Sequence, residues 1–553
     1  MKYKAIFDDV DLDDDYAEDS KRLKPWQIHL TVFFALAVVL NLLAVIYVNS
    51  CREIYYWSNA DYWNAARKIA SGAFGNDLWK NVYSSILGGE FNYVPSLLPA
   101  LFVRLFGESR MVFILCLVNC CLLPSAVLIY MLAAKIGKAP MITSGIVLLT
   151  MPVMTYLTLK GFTETGGLVI ALLCYYLYIS GKDSHSVKTG VFRHIVIGLL
   201  LAALMIWNNW YLFFSVSFVT AMLADSILFG KNKYMGIITL GTMIAAVSFL
   251  FEGFMFRRLI ADYGSGSFNF SFGLNLKLIT RYFGLLFILL MAVSSVIMGI
   301  KHHERRQVFA WLQILICYLM FTATRTHGQG HLLLYVPALI TLLILTVKYI
   351  KTERVLIGIC VLALAHSVNI FIPRTQPEGI EQIRHTAVIP NFSMLPVKRD
   401  STYDILTLKT RLDGVVPEGQ YLGVLAYSDT LNSEMLKNAE PSLNIKQQRV
   451  GYIANTIPYF DLPEIDISPL CNANYMLVAY PPQTVRSDQK VLTTAVDSFA
   501  AWTDIAMAYE EMYEYETVID DVHIKLYHRV RDVSRNERAQ YVNKLRAAVR
   551  ENQ

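Results

Sequence analysis

SNADYWNAARKIASG, residues 58–72, is the stretch from which the rest of the chain can be read. Trp63, Ala66, Ile69 and Ala70 recur at helical spacing, Ser58 or Asn59 suits the start, and Gly72 suits the end. The segment stands in the first long hydrophilic loop, just past an apolar stretch at 28–49. A short helix with one apolar stripe beside a span is expected to lie on the membrane surface. Its one acid, Asp61, admits two readings. As the third residue after Ser58 it completes an S-x-x-D capping box, stabilised by the positive helix end. Alternatively it is a general base, kept ionised by that same helix end and aimed into a cleft above the bilayer.

Working outward, the composition supports a membrane protein. Of 553 residues, 55% are hydrophobic and 17% charged, where a soluble chain carries roughly 25% charged residues. Mean hydropathy is +0.40. The net charge of +5 is too modest to mark a nucleic-acid binder. The first apolar stretch follows a polar, acidic tail (1–27) and has no small-residue cleavage site, so it reads as a retained helix. Within that tail, DDVDLDDDYAED (8–19) lacks the glycine turn and distal glutamate of a calcium loop. Six of the cysteines fall in apolar runs, leaving Cys51 and Cys471 outside them, and no CxxC or Cys/His metal spacing occurs. A Gly-rich phosphate loop and a repeat of 20–50 residues are also missing, which argues against a nucleotide-driven motor or a solenoid.

Spans of roughly 20 apolar residues fall at 28–49, 111–134, 140–159, 163–180, 193–206, 211–229, 234–252, 281–300, 308–324, 331–347 and 355–372. The run 195–229 is too long for one crossing and is divided at Trp207-Asn208-Asn209-Trp210, whose aromatics suit an interface and whose amides suit a turn. The segment 93–106, short and broken by Pro95 and Pro99, reads as a re-entrant or interfacial helix. Lys and Arg gather in alternate loops on the side of the N-terminal tail, which places the N-terminus in the cytoplasm and the C-terminus outside. The outer loops are then 50–110, 160–162, 253–280, 325–330 and everything beyond about 373. That last region has soluble hydropathy, with strands expected at 421–427, 475–480 and 523–530 and helices near 488–502 and 534–550. The expected fold class is an α-helical polytopic membrane protein with about 11 spans plus re-entrant or interfacial helices. It is divided into an acidic tail (1–27), a transmembrane catalytic domain (28–372) and an extracytoplasmic α/β domain (373–553).

Two further outer-face clusters carry chemistry. Glu164, in KGFTETGGLVIAL (160–172), is either an ordinary acid at a helix start or a second functional carboxylate. Gly166 and Gly167 beside it let a neighbouring helix or a ligand come close. In RTHGQGHLLLYVP (325–337), Arg325, His327 and His331 are cations or donors suited to a lipid phosphate, and Gln329 is a further donor. His327 and His331 are four apart, but Gly328 and Gly330 disfavour the regular helix that metal ligation at that spacing requires. Arg257, Arg258, Lys277 and Arg281 suit lipid headgroups, and Lys277 is also a candidate for the phosphate.

One span, an outer loop with an acid on a surface helix, and a proline-broken apolar segment ending in Phe-Gly (FNYVPSLLPALFVRLFG, 91–107) together resemble the opening of the GT-C membrane glycosyltransferases. That superfamily includes the protein O-mannosyltransferases and the lipid A aminoarabinose transferases. Residues 151–181 resemble its second acidic site and GQGHLLLYVPALITL (328–342) its late loop-to-span junction, so the resemblance covers roughly 28–372. It implies a GT-C fold, a polyprenyl-phosphate sugar as donor and inversion at the anomeric carbon. By position, Asp61 matches the first-loop catalytic acid and Glu164 the second. Arg325, His327, Gln329 and His331 match a phosphate-facing region loosely. Relatives often carry two adjacent first-loop acids, whereas here Asp61 is followed by Tyr62, which leaves a metal's part open and the cofactor unknown. The partners implied are the lipid-linked donor, a glycan or lipid acceptor and the surrounding membrane lipids, in cell-envelope assembly at the plasma membrane. The alternatives are an envelope polysaccharide ligase or polymerase using a lipid-diphosphate donor, and a lipid or solute transporter. For a transporter, Asp225 and Glu252 are the nearest intramembrane acids, and neither is central in its span.

Overall fold

The computed structural model describes residues 25–50, 54, 57–88, 92–137, 139–181, 187–229, 233–250, 272–302, 304–324, 327–350, 352–372, 387–394, 402–428, 430–439, 453–456, 471–484 and 490–550. The acidic tail, Arg257, Arg258, Glu252 and Arg325 lie outside them. All of the expected apolar segments are helical where described. α1 is Pro25–Ser50, the surface helix α2 is Trp57–Ala70, α3 is Leu78–Gly88 and α4 is Val94–Phe106. α5 (Arg110–Leu117) runs through a π turn, Val118–Leu122, into α6 (Leu123–Ile136). α7 (Pro140–Thr150), α8 (Val153–Leu159), α9 (Thr165–Gly181), α10 (Val187–Trp207), α11 (Tyr211–Phe229) and α12 (Lys233–Leu250) follow. After them come α13 (Phe272–Phe283), α14 (Leu285–His302), α15 (Arg305–Thr322), α16 (Val336–Tyr349) and α17 (Glu353–Ile370). Six of these helices, the joined α5–α6 counted as one, are long and apolar enough to cross a membrane alone. α7 and α8, bent by 61° at their break, together are long and apolar enough for a broken span or a re-entrant loop.

Local sequence accounts for the breaks. Pro152 has no amide hydrogen to continue α7, and the chain kinks there. Pro124 likewise cannot complete the regular ladder where the π turn ends. On that turn Asn119 exchanges reciprocal amide bonds with Asn41 of α1, at 2.8 and 3.0 Å, a polar clasp between two apolar helices. α10 ends at Trp207 and α11 begins at Tyr211, so the WNNW turn falls where expected. The expected span 281–300 starts late, because Gly284 at φ +77° closes α13 and Arg281 belongs to that preceding helix. Phe34, Val38, Leu42 and Ile46 form an exposed apolar stripe along α1, as a lipid-facing helix requires.

The C-terminal part is a sheet with helices on both faces. Its strands are β1 (Tyr421–Leu425), β2 (Ile453–Thr456), β3 (Tyr475–Tyr480), β4 (Tyr509–Glu511), β5 (Thr517–Ile519) and β6 (Val522–Arg529). The order is β2-β1-β3-β6-β4 with β5 also on β6, parallel among β1, β2 and β3 and antiparallel around β6. The buried residues of β1 and β3 run almost without interruption, as strands covered on both faces do. α18 (Thr402–Val415) and α19 (Ser433–Asn438) belong to one face, α20 (Lys490–Ala500) and α21 (Arg535–Arg550) to the other. Several contacts among the described residues tie this part to the helical part. Ile54, between α1 and α2, is buried in the core around Ile405, Leu408 and Leu436. Residues 387–394 run back onto the membrane helices, where Ala387 and Val388 carbonyls accept from Leu285 and Leu286 and Phe392 and Met394 enter the helical core. Residues 387–394 are therefore packed on the bundle before the sheet-forming part begins at α18.

Candidate active site

α2 begins at Trp57, so Asp61 lies beyond the first turn and the helix has no acid there. The capping-box reading of Asp61 thereby loses its geometry. The expected apolar stripe is buried at Trp63, Ala66 and Ile69, joined by Tyr62 and Ala65, and packs on α4. Asp61 itself is exposed and lies within electrostatic reach of both Tyr62 and Lys437.

Tyr62 is the residue that carries α2 to the second acid. Its hydroxyl donates to Glu164 Oε1 at 2.9 Å and accepts from Asn208 Nδ2 at 2.9 Å. Glu164 immediately precedes α9 and is 7% exposed; its carbonyl accepts from Gly167 N–H at 2.9 Å and from the Tyr211 hydroxyl at 2.7 Å. Trp207 Nε1 donates to the Thr163 carbonyl at 3.1 Å. The two glycines permit this closeness: a Cβ on Gly166 would stand 2.2 Å from Trp207 and one on Gly167 2.2 Å from Tyr211. The other carboxylate oxygen, Oε2, is buried without a hydrogen-bond partner. Burial, followed by the charge of Glu164, holds the Tyr62 phenol far above its ordinary range, so Tyr62 stays a neutral donor.

The late loop closes on the same point. A Cβ on Gly330 would lie 3.4 Å from Glu164 Oε1 and from Phe162. His331 stacks edge-on against Trp210, ring centres 4.5 Å apart, and its Nδ1 accepts from Gly328 N–H at 2.7 Å. Gln329 is half-buried at the start of the 3-10 turn Gly330–Leu334. His327 is buried: its backbone N–H donates to Asn275 Oδ1 at 2.9 Å and its Nε2 bonds the Tyr335 hydroxyl. Burial pushes its imidazole down to about 3, so His327 is a neutral hydrogen-bonding group at physiological pH rather than a cation. Lys277 is half-buried on α13, one turn before Arg281. Thus Tyr62, Glu164 and the 327–331 loop, distant in sequence, meet at one end of the helical bundle, with Asp61 next to them. Among the described residues no three His, Cys, Asp or Glu side chains gather as a metal site.

Two cations escaped the sequence reading. Lys160, read only as a short-loop charge, and Arg281, read as a headgroup anchor, are 8% and 6% exposed. Both flank an aromatic nest in which Phe392 sits 5.0 Å from the rings of Tyr156 and Tyr282. Lys160 Nζ lies 5.8 Å from the Tyr156 ring and Arg281 Cζ 5.8 Å from the Tyr282 ring. Arg281 Nε also donates to the Asn391 carbonyl at 3.0 Å. The available signal was faint: Lys160 is the lone charge between two apolar runs, four residues before Glu164. A buried cation at such a border is costly unless used.

No protein family and no curated protein matches the chain in sequence. Among solved structures, ArnT from Cupriavidus metallidurans bound to undecaprenyl phosphate superposes at a TM-score of 0.54 with 12% identity, covering 92% of this chain and 99% of that one. The apo state of the same enzyme gives 0.56 at 12% identity, over 91% and 98%. At that identity the likeness shows the fold. This chain has the fold of ArnT. It is a multi-pass membrane protein.

Proposed function

We propose that the protein is an inverting GT-C glycosyltransferase that moves a monosaccharide from a polyprenyl-phosphate carrier to a glycan, lipid or envelope-polymer acceptor on the outer face of the plasma membrane. The observation that carries this reading is the meeting of Asp61's helix, through Tyr62, with Glu164 and the 327–331 loop. That meeting occurs in a fold shared with ArnT from Cupriavidus metallidurans, one structure of which is bound to undecaprenyl phosphate. A lipid phosphate is already a good leaving group, so transfer needs a base for the acceptor and cations for the phosphate.

In the proposed step the acceptor hydroxyl oxygen attacks the anomeric carbon while the bond from that carbon to the phosphate oxygen breaks. The electron pair leaves with the polyprenyl phosphate and the hydroxyl proton passes to Asp61. Attack opposite the leaving group inverts the carbon, by analogy with single-displacement glycosidases. Asp61 is exposed, as a base that must meet an incoming hydroxyl has to be. Glu164, with Oε1 tied to Tyr62 and Oε2 free of protein donors, is suited to sugar hydroxyls. Lys160 and Arg281 join Arg325 and Lys277 as cations for the departing phosphate, and Gln329, His327 and His331 are donors beside it. Each charge-assisted bond contributes about 1.5–3 kcal/mol.

The test is transfer by the purified protein from polyprenyl-monophosphate and polyprenyl-diphosphate sugars, with Asp61→Asn and Lys160→Ala alongside. Transfer from the monophosphate, abolished by Asp61→Asn and reduced roughly 10- to 100-fold by Lys160→Ala, is expected. Wild-type transfer by Asp61→Asn eliminates the base, and use of diphosphate donors alone moves the protein to the ligase or polymerase reading.

A further inference from the structure

We propose that Asn208, in the turn between α10 and α11, is a positioning residue for the transfer: it commits the one hydroxyl hydrogen of Tyr62 to Glu164 Oε1, so that Glu164 takes a sugar hydroxyl through Oε2. The role rests on Glu164 being a ligand for sugar hydroxyls. The direction of each hydrogen bond follows from the atoms at its ends. Trp210 N–H, a backbone group that can only donate, lies 3.1 Å from Asn208 Oδ1. That bond fixes which way the amide faces and turns Nδ2 toward the Tyr62 hydroxyl, 2.9 Å away. An amide nitrogen only donates, so the phenol oxygen accepts there. Its own hydrogen is left for Glu164 Oε1, at 2.9 Å. Asn208, Tyr62 and Glu164 are all buried.

The consequence falls on the other carboxylate oxygen. Oε2 is buried with no hydrogen-bond partner, a state that costs free energy until a donor arrives. With Oε1 held by the phenol, a sugar O–H is the donor that completes the carboxylate. A proton taken up by Glu164 goes to Oε2 for the same reason, and turns that acceptor into a donor. Gly330 of the late loop passes close by, a Cβ there 3.5 Å from the carboxyl carbon, so backbone alone stands at that point. The titratable groups on the elements around Glu164 are Tyr62 and Asp61 of α2, Tyr211 of α11, Cys121 of the π turn, His331 of the late loop and Lys160 four residues earlier. Burial raises the Glu164 carboxyl to about 7, and the bond from Tyr62 works against that rise, which brings its ionisation within range of a rate profile.

The test uses the full-length protein with a polyprenyl-phosphate sugar and reads kcat/KM against pH. Asn208→Asp keeps an oxygen for Trp210 N–H but replaces the donor facing Tyr62 by an acceptor, which draws the phenol hydrogen away from Glu164. Glu164 then ionises less readily, so the acid limb is expected to move up by about one pH unit. Tyr62→Phe should move it in the same direction, and Asn208→Asp should add nothing once Tyr62 is Phe. Asn208→Ser, whose hydroxyl still serves the turn but is shorter than the amide, is the second variant should Asn208→Asp fail to fold; its limb should also move up, by less. An unmoved limb in a folded Asn208 variant overturns the positioning role. So does a limb that Asn208→Asp moves equally in the Tyr62→Phe background, which is the effect of charge at that position alone. In both cases a loss of kcat/KM by Glu164→Gln leaves the sugar role of Glu164 standing. Wild-type kcat/KM in Glu164→Gln overturns that role, and the positioning role with it.

Discussion

Tyr62→Phe removes one hydroxyl and disconnects the two halves of the candidate site. In the folded protein that hydroxyl donates to Glu164 Oε1 and accepts from Asn208 Nδ2, both at 2.9 Å and both buried. Burial pushes the Glu164 carboxyl up to about 7, so the bond to it is worth about 0.5–3 kcal/mol, and a buried amide left without its acceptor costs about 1–3 kcal/mol more. A loss of about 1.5–6 kcal/mol is therefore expected, because both partners are buried. Glu164→Gln keeps an acceptor for Tyr62 but neutralises it, so it weakens the same bond by about 1–2 kcal/mol and should cost nothing further once Tyr62 is Phe. The four proteins of this cycle can be unfolded reversibly in mixed micelles by titrating a denaturing detergent. A coupling of about 1–2 kcal/mol is expected. A coupling below about 0.5 kcal/mol, the level at which distant sites add, would refute the claim that Tyr62 and Glu164 form one unit.

Three further outcomes follow from the packing and the charges. Gly167→Ala places a methyl 2.2 Å from the Tyr211 ring and should cost about 1–3 kcal/mol. Gly145→Ala, with nothing within 4 Å of its new methyl, should stay within about 1 kcal/mol of wild type; equal effects in the same micelle assay would contradict the close approach of α11 to α9. Asn119→Leu leaves Asn41 without its cross-helix partner and should cost about 0.5–2 kcal/mol, with Asn41→Leu adding little on top. In the soluble domain the Arg531 guanidinium, 2.6 Å away, holds the Glu537 carboxyl down at about 2 from its ordinary 4.5. A depressed acid stabilises the fold above its unfolded pKa and loses that contribution as pH falls from about 4.5 toward 2. Pepsin cleavage near the start of α21 should thus rise over that window in the wild type, whereas Glu537→Gln should be cleaved alike across it.

Much of the architecture was legible one segment at a time. Span-length apolar runs must be helical because a backbone in lipid has to satisfy its own hydrogen bonds. Prolines and the Trp207–Trp210 turn mark their own breaks, and β-branched and aromatic runs at 421–427, 475–480 and 523–530 announce strands that the fold contains. Boundaries governed by neighbours were less legible. Gly284 ends α13 under the returning chain at 387–390, and no local pattern signals that return. For the site, residue type and loop placement pointed to Asp61, Glu164 and the 325–331 loop, and to glycines that admit close neighbours. Tyr62 read as the residue that displaced an expected second acid, and Lys160 and Arg281 read as border charges.

The chain's own pattern determined that it lives in a membrane, where its helices and strands lie, and which loops carry acids and donors. Those properties depend on transfer from water and on backbone hydrogen bonding, which act residue by residue. Tertiary structure alone decided that Asp61 lies beyond the first turn of its helix. It also decided that Tyr62 reaches across 102 residues of chain to Glu164, and that Phe392, Tyr156 and Tyr282 cluster with two cations at their edges. Such meetings arise from the packing of whole helices, set by the summed shapes of many side chains, and no window of sequence contains that sum.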